Sequence, residues 1–227
     1  DAQDWWPNFI GENLTLDTEK YTIVCANILG SCYGTSFQKQ EKLPLITIRD
    51  MIKLHQELAK FLQISEIELL LGGSLGGMQC LEWAIAEPDF IKKLFVIATN
   101  AKHSAWGIAF NEAQRMALEL GENGIDAARA IAMLSYRNYA TFEATQTDEE
   151  EKLENYRAAS YQRHQGEKLR KRFSKESYFM LSKAMDSHHL GRGRNSVENA
   201  LNQITAETLV IGIDSDILFP VSEQKFI

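Results

Sequence analysis

The stretch "LLLGGSLGGMQCLEWAI", residues 69–85, places four glycines around Ser74. Glycine loses more backbone freedom on folding than any other residue, so such a cluster indicates positions where the geometry excludes a side chain. The preceding "EIELLLGG" is an apolar run typical of a buried strand, and "GMQCLEWAIAEP" predicts a helix that ends before Pro88. The sequence therefore predicts a strand, a tight turn at Ser74 and a helix.

The turn has the spacing G-x-S-x-G, with Ser74 followed by Leu75 and then Gly76. Between a strand and a helix, this spacing is typical of the nucleophile elbow of α/β-hydrolase folds. Such a turn exposes the serine hydroxyl, and the N–H of Leu75 points to where a tetrahedral oxyanion forms. Two alternatives are an ordinary tight turn and a phosphate-binding loop. The phosphate loop is disfavoured because neither G-x-x-x-x-G-K-[ST] nor G-x-G-x-x-G is present.

The rest of the chain predicts an α/β fold with a parallel sheet whose two faces are covered by helices. The pattern predicts further strands in "YTIVCANIL" (21–29), "IKKLFVIATNA" (91–101) and "AETLVIGIDSD" (206–216), and a helix with Thr47 as its N-cap in "TIRDMIKLHQELAKFLQI". Residues 110–187 show only helical periodicity. We therefore expect a core of residues 1–109 and 199–227, interrupted by a helical lid at 110–198.

Composition excludes several function classes. The 227 residues are 44% hydrophobic and 24% charged, with a formal net charge of -7, which disfavours binding to nucleic acid or to an anionic membrane. No apolar run approaches the roughly 18 residues of a membrane span, and the chain does not start with a pattern typical of a targeting peptide. Neither an H-E-x-x-H motif nor a cysteine–histidine cluster indicates a metal.

The basic residues 168–175 and the acidic run 148–151 are typical of solvated helix faces. The three cysteines, Cys25, Cys32 and Cys80, form no C-x-x-C pair, which favours reduced thiols and a cytoplasmic location.

A nucleophilic serine needs a base and an acid, in the chain order Ser, Asp or Glu, His. Asp214 and Asp216 follow the last predicted strand and are both candidates for the acid, although either residue also suits a plain turn. The five histidines all precede Asp214; they are His55, His103, His164, His188 and His189. Chain order therefore assigns His188 and His189 to a loop or a supporting role. By this pattern the base lies beyond Ile227.

Longer strings carry a more specific resemblance. "GGSLGGMQCLEWAIAEPD", "FNEAQRMA", "AARAIAMLSYR", "GEKLRKRFSKESYFMLSKAMDSHHLGRGR" and "IGIDSDILFP" occur in this order. The chain resembles the homoserine O-acetyltransferases of methionine biosynthesis over nearly its whole length. The resemblance implies an α/β-hydrolase core with a helical lid, and a homodimer formed through that lid. It also implies that Ser74 takes an acetyl group from acetyl-CoA, with no separate cofactor, and passes it to the hydroxyl of L-homoserine.

The resemblance also assigns two further residues. Asp216, rather than Asp214, matches the family's acid, and Arg129 in "AARAIAMLSYR" matches the arginine that holds the homoserine carboxylate. From the residues alone a salt bridge within the lid is the simpler role for Arg129, and Arg115 and Arg137 compete with it for the carboxylate.

The chain also departs from the family pattern. Members begin with a strand and a loop that carries a second oxyanion donor, and they end with a "GHD" segment that supplies the histidine and an aspartate for the substrate amine. We therefore expect an incomplete chain that is nearly inactive by itself. Transfer of a succinyl group, simple ester hydrolysis and an inactive fold remain alternatives to acetyl transfer.

Overall fold

A parallel sheet of three strands carries the predicted serine turn. The computed structural model describes residues 6–36, 44–121 and 123–227. Its strands are β1 (Ile67–Gly73), β2 (Ile91–Ile97) and β3 (Glu207–Ile211), in the order β1-β2-β3. Its helices are α1 (Ile48–Phe61), α2 (Leu75–Ala86), α3 (Ala105–Glu119), α4 (Gly124–Ser135), α5 (Tyr139–Gln146), α6 (Arg157–Arg170), α7 (Lys175–Asp186), α8 (Val197–Leu201) and α9 (Val221–Phe226). The α/β class predicted from the sequence is confirmed.

The register of the sheet aligns the carboxyl ends of all three strands. Gly73 pairs with Ile97 across β1 and β2, and Ile97 pairs with Ile211 across β2 and β3. The chain therefore leaves the sheet at neighbouring points, after β1 at Ser74 and after β3 at residues 212–219. This edge is where ligands bind in open parallel sheets.

The first helix begins where its sequence predicts. Thr47 is the N-cap of α1, and its side chain and backbone N–H exchange hydrogen bonds with Asp50 in a capping box. Ile48, Met51 and Ile52 are buried on its inner face. The cap and the 3.6-residue spacing of apolar side chains agree, so this element was predictable.

Helix α2 covers one face of the sheet. Leu81 and Ile85 of α2 form a buried cluster with Leu94 and Val96 of β2. The prediction that helices cover both faces holds only in part, because Leu209 on β3 is 58% exposed.

The prediction of a buried strand at residues 21–29 is wrong. These residues pair with no strand in the described part of the chain, and Tyr21 and Val24 are 44% and 49% exposed. A β-rich pattern reports the fit of side chains to a pleated surface, but a strand also needs a neighbour that accepts its backbone hydrogen bonds.

Between β2 and β3 the described residues form helices and their connections but no strand, as expected. Buried side chains of α3, α4 and α6 share a small separate core, formed by Ala117, Leu118, Ile125, Ala128 and Leu169. Helix α3 begins at Ala105, before the expected lid boundary at residue 110. The division into a core and a lid stays a prediction.

Other sequence expectations have mixed outcomes. The basic residues of 168–175 are exposed, as predicted, whereas the acidic run 148–151 lies in the connection between α5 and α6 rather than on a helix. All three cysteines are free, and burial raises the pKa of Cys80 to about 12. Within the described ranges, no helix is both long enough and apolar enough to span a bilayer.

Candidate functional site

Ser74 stands in a strained turn between β1 and α2. Its φ of 52° and ψ of -121° are unusual for a residue other than glycine, and such strain is typical of functional sites. The N–H of Ser74 donates to the carbonyl oxygen of Ile97 at 3.0 Å. Its own carbonyl accepts the N–H of Met78 at 3.1 Å and the hydroxyl of Thr99 at 2.9 Å.

Close packing explains why glycines flank this serine. A Cβ at Gly72 would lie 2.5 Å from the backbone of Gly76, and one at Gly77 would lie 2.7 Å from the Cβ of Thr99. No such contact exists at Gly76, where the space is open. The glycines at 72 and 77 therefore let α2 approach the sheet closely enough to form the elbow.

Leu75 is the first residue of α2. The N–H groups in the first turn of a helix lack intrahelical acceptors and carry partial positive charge. The N–H of Leu75 is thus suited to the oxyanion role that the sequence predicts, and that role stays a prediction.

Asp216 lies in the loop after β3 and is half-buried, whereas Asp214 is exposed. Its Oδ1 accepts the N–H groups of Leu218 and Phe219, at 2.8 and 2.9 Å. These two bonds fix the orientation of the carboxylate, and Oδ2 receives no hydrogen bond from the described residues.

The loop that carries Asp216 packs against the elbow helix. Leu218 and Phe219 share a buried cluster with Met78 of α2, and Leu75 packs against the same cluster. The structure therefore brings the predicted nucleophile and the predicted acid to one edge of the sheet.

The helical region reaches the same loop through two hydrogen bonds. Asn138, the N-cap of α5, donates from Nδ2 to the hydroxyl of Ser215 at 3.1 Å. The indole of Trp106 in α3 donates to the carbonyl oxygen of Ile217 at 2.8 Å. These contacts place the start of α3 and the connection between α4 and α5 beside the loop that carries Asp216, called the acid loop below after the role predicted for that residue.

Arg129 lies on α4, half-buried, with its guanidinium carbon 5.3 Å from the centre of the Tyr136 ring. None of the ion pairs among the described residues involves Arg129. The two competing arginines are already engaged: Arg115 is buried and bonds Asp186 at 2.6 Å, and Arg137 donates to the hydroxyl of Tyr161 at 3.0 Å. Of these three arginines, Arg129 is the one without a polar side-chain partner among the described residues.

None of the five histidines hydrogen-bonds to Ser74 or Asp216 in the described part of the chain. His55 bonds to Gln79, and His103 bonds to Asn111. The ring of His188 donates to the carbonyl oxygen of Asn100 at 2.8 Å, and burial lowers its pKa to about 3. The expectation that the base lies beyond Ile227 stays a prediction.

Sequence reasoning missed the contribution of Thr99. This residue is fully buried at the end of β2, where it contacts the turn described above. No local pattern marks it, because only the folded sheet brings residue 99 beside residue 74.

The sequence also gives no indication of a cavity of about 500 Å³ that none of the predicted site residues lines. Its walls are residues 101–105, Val197, Glu198, Ser222, Glu223 and Phe226.

Comparison with known proteins places this geometry in a family. The family model for the alpha/beta hydrolase fold matches residues 2–226. The homoserine O-acetyltransferase of Cyclobacterium marinum is 43% identical to this chain in an alignment that covers 99% of the chain. The chain belongs to the homoserine O-acetyltransferase family. The family resemblance inferred from the sequence motifs is thereby confirmed.

Two solved structures support the same fold. The crystal structure of homoserine O-acetyltransferase from Staphylococcus aureus matches 88% of this chain with a TM-score of 0.75 and 30% sequence identity. Esterase E22 matches 97% of it with a TM-score of 0.87, but at 20% identity this likeness concerns the fold alone. This chain spans 70% of the Cyclobacterium protein and 60% of the Staphylococcus chain.

Proposed function

We propose that the protein transfers an acetyl group from acetyl-CoA to the hydroxyl of L-homoserine through an ester on Ser74. One observation carries the proposal: a strained serine at the head of a helix, in a chain 43% identical to a homoserine O-acetyltransferase. The acetyl-CoA is a substrate, and the chemistry needs no separate cofactor.

In the first half-reaction, the Oγ of Ser74 attacks the thioester carbonyl while a base removes its proton. The new C–O bond forms, the C–S bond breaks, and coenzyme A leaves as a thiol with that proton. The N–H of Leu75 donates to the oxyanion, and Asp216 orients the base. We expect this base to be a histidine that follows Asp216, according to the chain order of the fold.

In the second half-reaction, the hydroxyl of homoserine attacks the Ser74 ester while the base takes its proton. The new C–O bond forms, the bond from the acetyl carbon to Oγ breaks, and the base returns the proton to Ser74 as O-acetyl-L-homoserine leaves. Arg129 holds the homoserine carboxylate in this proposal. Its support is chemical: the guanidinium offers a planar fork that suits a carboxylate, and no described carboxylate already occupies it.

We further propose that the protein acts in methionine biosynthesis and is located in the cytoplasm. We propose that it forms a homodimer and that it binds neither nucleic acid nor membranes. Exposed apolar side chains on the helical region support self-association, because an interface would remove them from water. Met116, Leu120 and Leu134 are 62%, 82% and 57% exposed.

The decisive experiment incubates the full-length protein with homoserine and either acetyl-CoA or succinyl-CoA. We expect O-acetylhomoserine, and an acetyl adduct on Ser74 that the Ser74→Ala variant lacks. Succinyl transfer alone would contradict the choice of donor. Acetyl-CoA hydrolysis that homoserine does not change would favour an esterase, and no turnover or adduct at all would favour an inactive fold.

A pair of arginine variants tests the acceptor site. Arg129→Ala should lower kcat/KM for homoserine by about 10- to 100-fold, the range expected when a charged hydrogen-bonding partner is lost. The rate of Ser74 acetylation should stay unchanged, since the carboxylate belongs to the second substrate. Arg137→Ala is the matched control, and an equal loss in both variants would contradict the role of Arg129.

A further inference from the structure

A fully buried threonine stands directly behind the serine turn. Thr99 is 0% exposed and follows β2 by two residues. We propose that Thr99 is a positioning residue that holds Ser74 in the geometry for attack. This inference rests on the proposed role of Ser74 as the nucleophile.

The backbone of Ser74 is attached to the end of β2 on both sides of its Cα atom. The N–H of Ser74 donates to Ile97 at 3.0 Å, and the hydroxyl of Thr99 donates to the carbonyl of Ser74 at 2.9 Å. Because a serine at φ 52° is in an unfavourable conformation, it persists only where surrounding contacts maintain it. The hydrogen bond from the Thr99 hydroxyl is a side-chain contact that helps to maintain this conformation.

The carbon atoms of Thr99 make a second contact with the elbow. They lie where a side chain on Gly77 would be, 2.7 to 2.8 Å from the position of its Cβ. Thr99 therefore fills the space between β2 and the first turn of α2. The Thr99 side chain therefore faces both Ser74, whose carbonyl accepts its hydroxyl, and Gly77.

The backbone of Thr99 extends this arrangement towards the acid. Gln224 of α9 donates from Nε2 to the carbonyl oxygen of Thr99 at 2.6 Å, and this bond is buried. Helix α9 follows directly on the loop that contains Asp216. Thr99 thus contacts both the serine turn and the element after the acid loop, which sets the separation between them.

The test compares two variants at this position. Thr99→Val keeps the shape and removes the hydroxyl, whereas Thr99→Ser keeps the hydroxyl. The measurement is the rate at which a fluorophosphonate probe labels Ser74 in the full-length protein, alongside the melting temperature. We expect Thr99→Val to label about tenfold more slowly, equivalent to about 1.4 kcal/mol, and Thr99→Ser to label at nearly the wild-type rate. If Thr99→Val does not fold, Thr99→Ala against Thr99→Ser makes the same comparison.

Thr205→Val provides the matched control, since Thr205 also donates its hydroxyl to a backbone carbonyl, that of Pro88 at 2.7 Å, but far from the turn. It should label at the wild-type rate whatever its effect on stability. Wild-type labelling of Thr99→Val, or equal slowing in Thr99→Ser, would overturn the inference.

The design separates this inference from the proposed function. If Ser74 labels and homoserine is not acetylated, only the proposed function fails, and the Thr99 comparison still decides the inference. If the wild type does not label, or if Ser74→Ala labels as well as the wild type, Ser74 is not the nucleophile and both fail.

Discussion

Buried His188 makes the stability of the fold depend on pH in a calculable way. The residue is 3% exposed, and its ring donates to the carbonyl oxygen of Asn100. Burial lowers its pKa from 6.5 to about 3, and the nearby His103, His189 and Arg192 act in the same direction. The folded protein therefore keeps this ring neutral at a pH where the unfolded chain protonates it.

The sign and size of the effect follow from proton linkage. Between pH 6.5 and 3 the unfolded state binds more protons, so the free energy of unfolding falls as the pH is lowered. With the two pKa values above, the contribution of His188 changes by about 2 kcal/mol between pH 7 and pH 5. The pKa of His103 is also lowered by burial, so that residue adds a loss of the same sign.

Urea unfolding at pH 7 and pH 5 measures this contribution. His188→Gln keeps a side-chain donor for Asn100 but does not titrate, so its loss of stability should be smaller than the wild-type loss by about 2 kcal/mol. His164→Gln is the matched control, because His164 is exposed in the fold, and it should lose as much as the wild type. An equal loss of free energy in His188→Gln and the wild type would contradict the lowered pKa of His188.

Two further substitutions test packing and charge, with urea unfolding as the measurement. Gly77→Ala should destabilise the fold by about 1–3 kcal/mol, because its Cβ would overlap Thr99, whereas Gly76→Ala has open space and should cost little. Asp186→Asn should cost about 2 kcal/mol, since it removes one of the two carboxylates that pair with the buried guanidinium of Arg115 and leaves only Glu112.

The charge prediction has its own control on the surface. Glu167→Gln removes the acid of an exposed pair with Lys171, and surface pairs contribute at most about 1 kcal/mol. Equal losses in the Asp186 and Glu167 variants would show that burial does not determine the cost. If Gly77→Ala and Gly76→Ala lose equal free energies of unfolding, the overlap with Thr99 does not determine the cost of the Gly77 substitution.

The elements that the sequence predicted well are those whose determinants are local. The cap at Thr47 and the glycine spacing around Ser74 lie within a few residues of the structures that they specify. Residues 21–29 failed because their status depends on a neighbouring strand, which no local pattern reports. β-Propensity alone therefore could not distinguish an unpaired extended segment from a buried strand.

The positions of Ser74 and Asp216 were predictable from the sequence, but the contacts that support them were not. Ser74 and Asp216 follow strands, and the carboxyl ends of parallel strands meet at one edge, so their placement on that edge follows from topology. Thr99 and Asn138 contribute through contacts across 25 and 77 residues of sequence, and these contacts exist only once the sheet and the helices are packed. That Arg129 lacks a polar side-chain partner among the described residues was not predictable either, because it depends on which groups Arg115 and Arg137 contact in the folded chain.

The two hydrogen bonds from the helical region to the acid loop have a mechanical consequence. Trp106 and Asn138 hold the residues on either side of Asp216, at Ile217 and Ser215. If the helices swing outward, these bonds must either break or pull the aspartate out of alignment. Admission of bulk water would then coincide with loss of orientation of the proposed acid. The proposed ester on Ser74 would be least reactive at the moment when it was most exposed to hydrolysis.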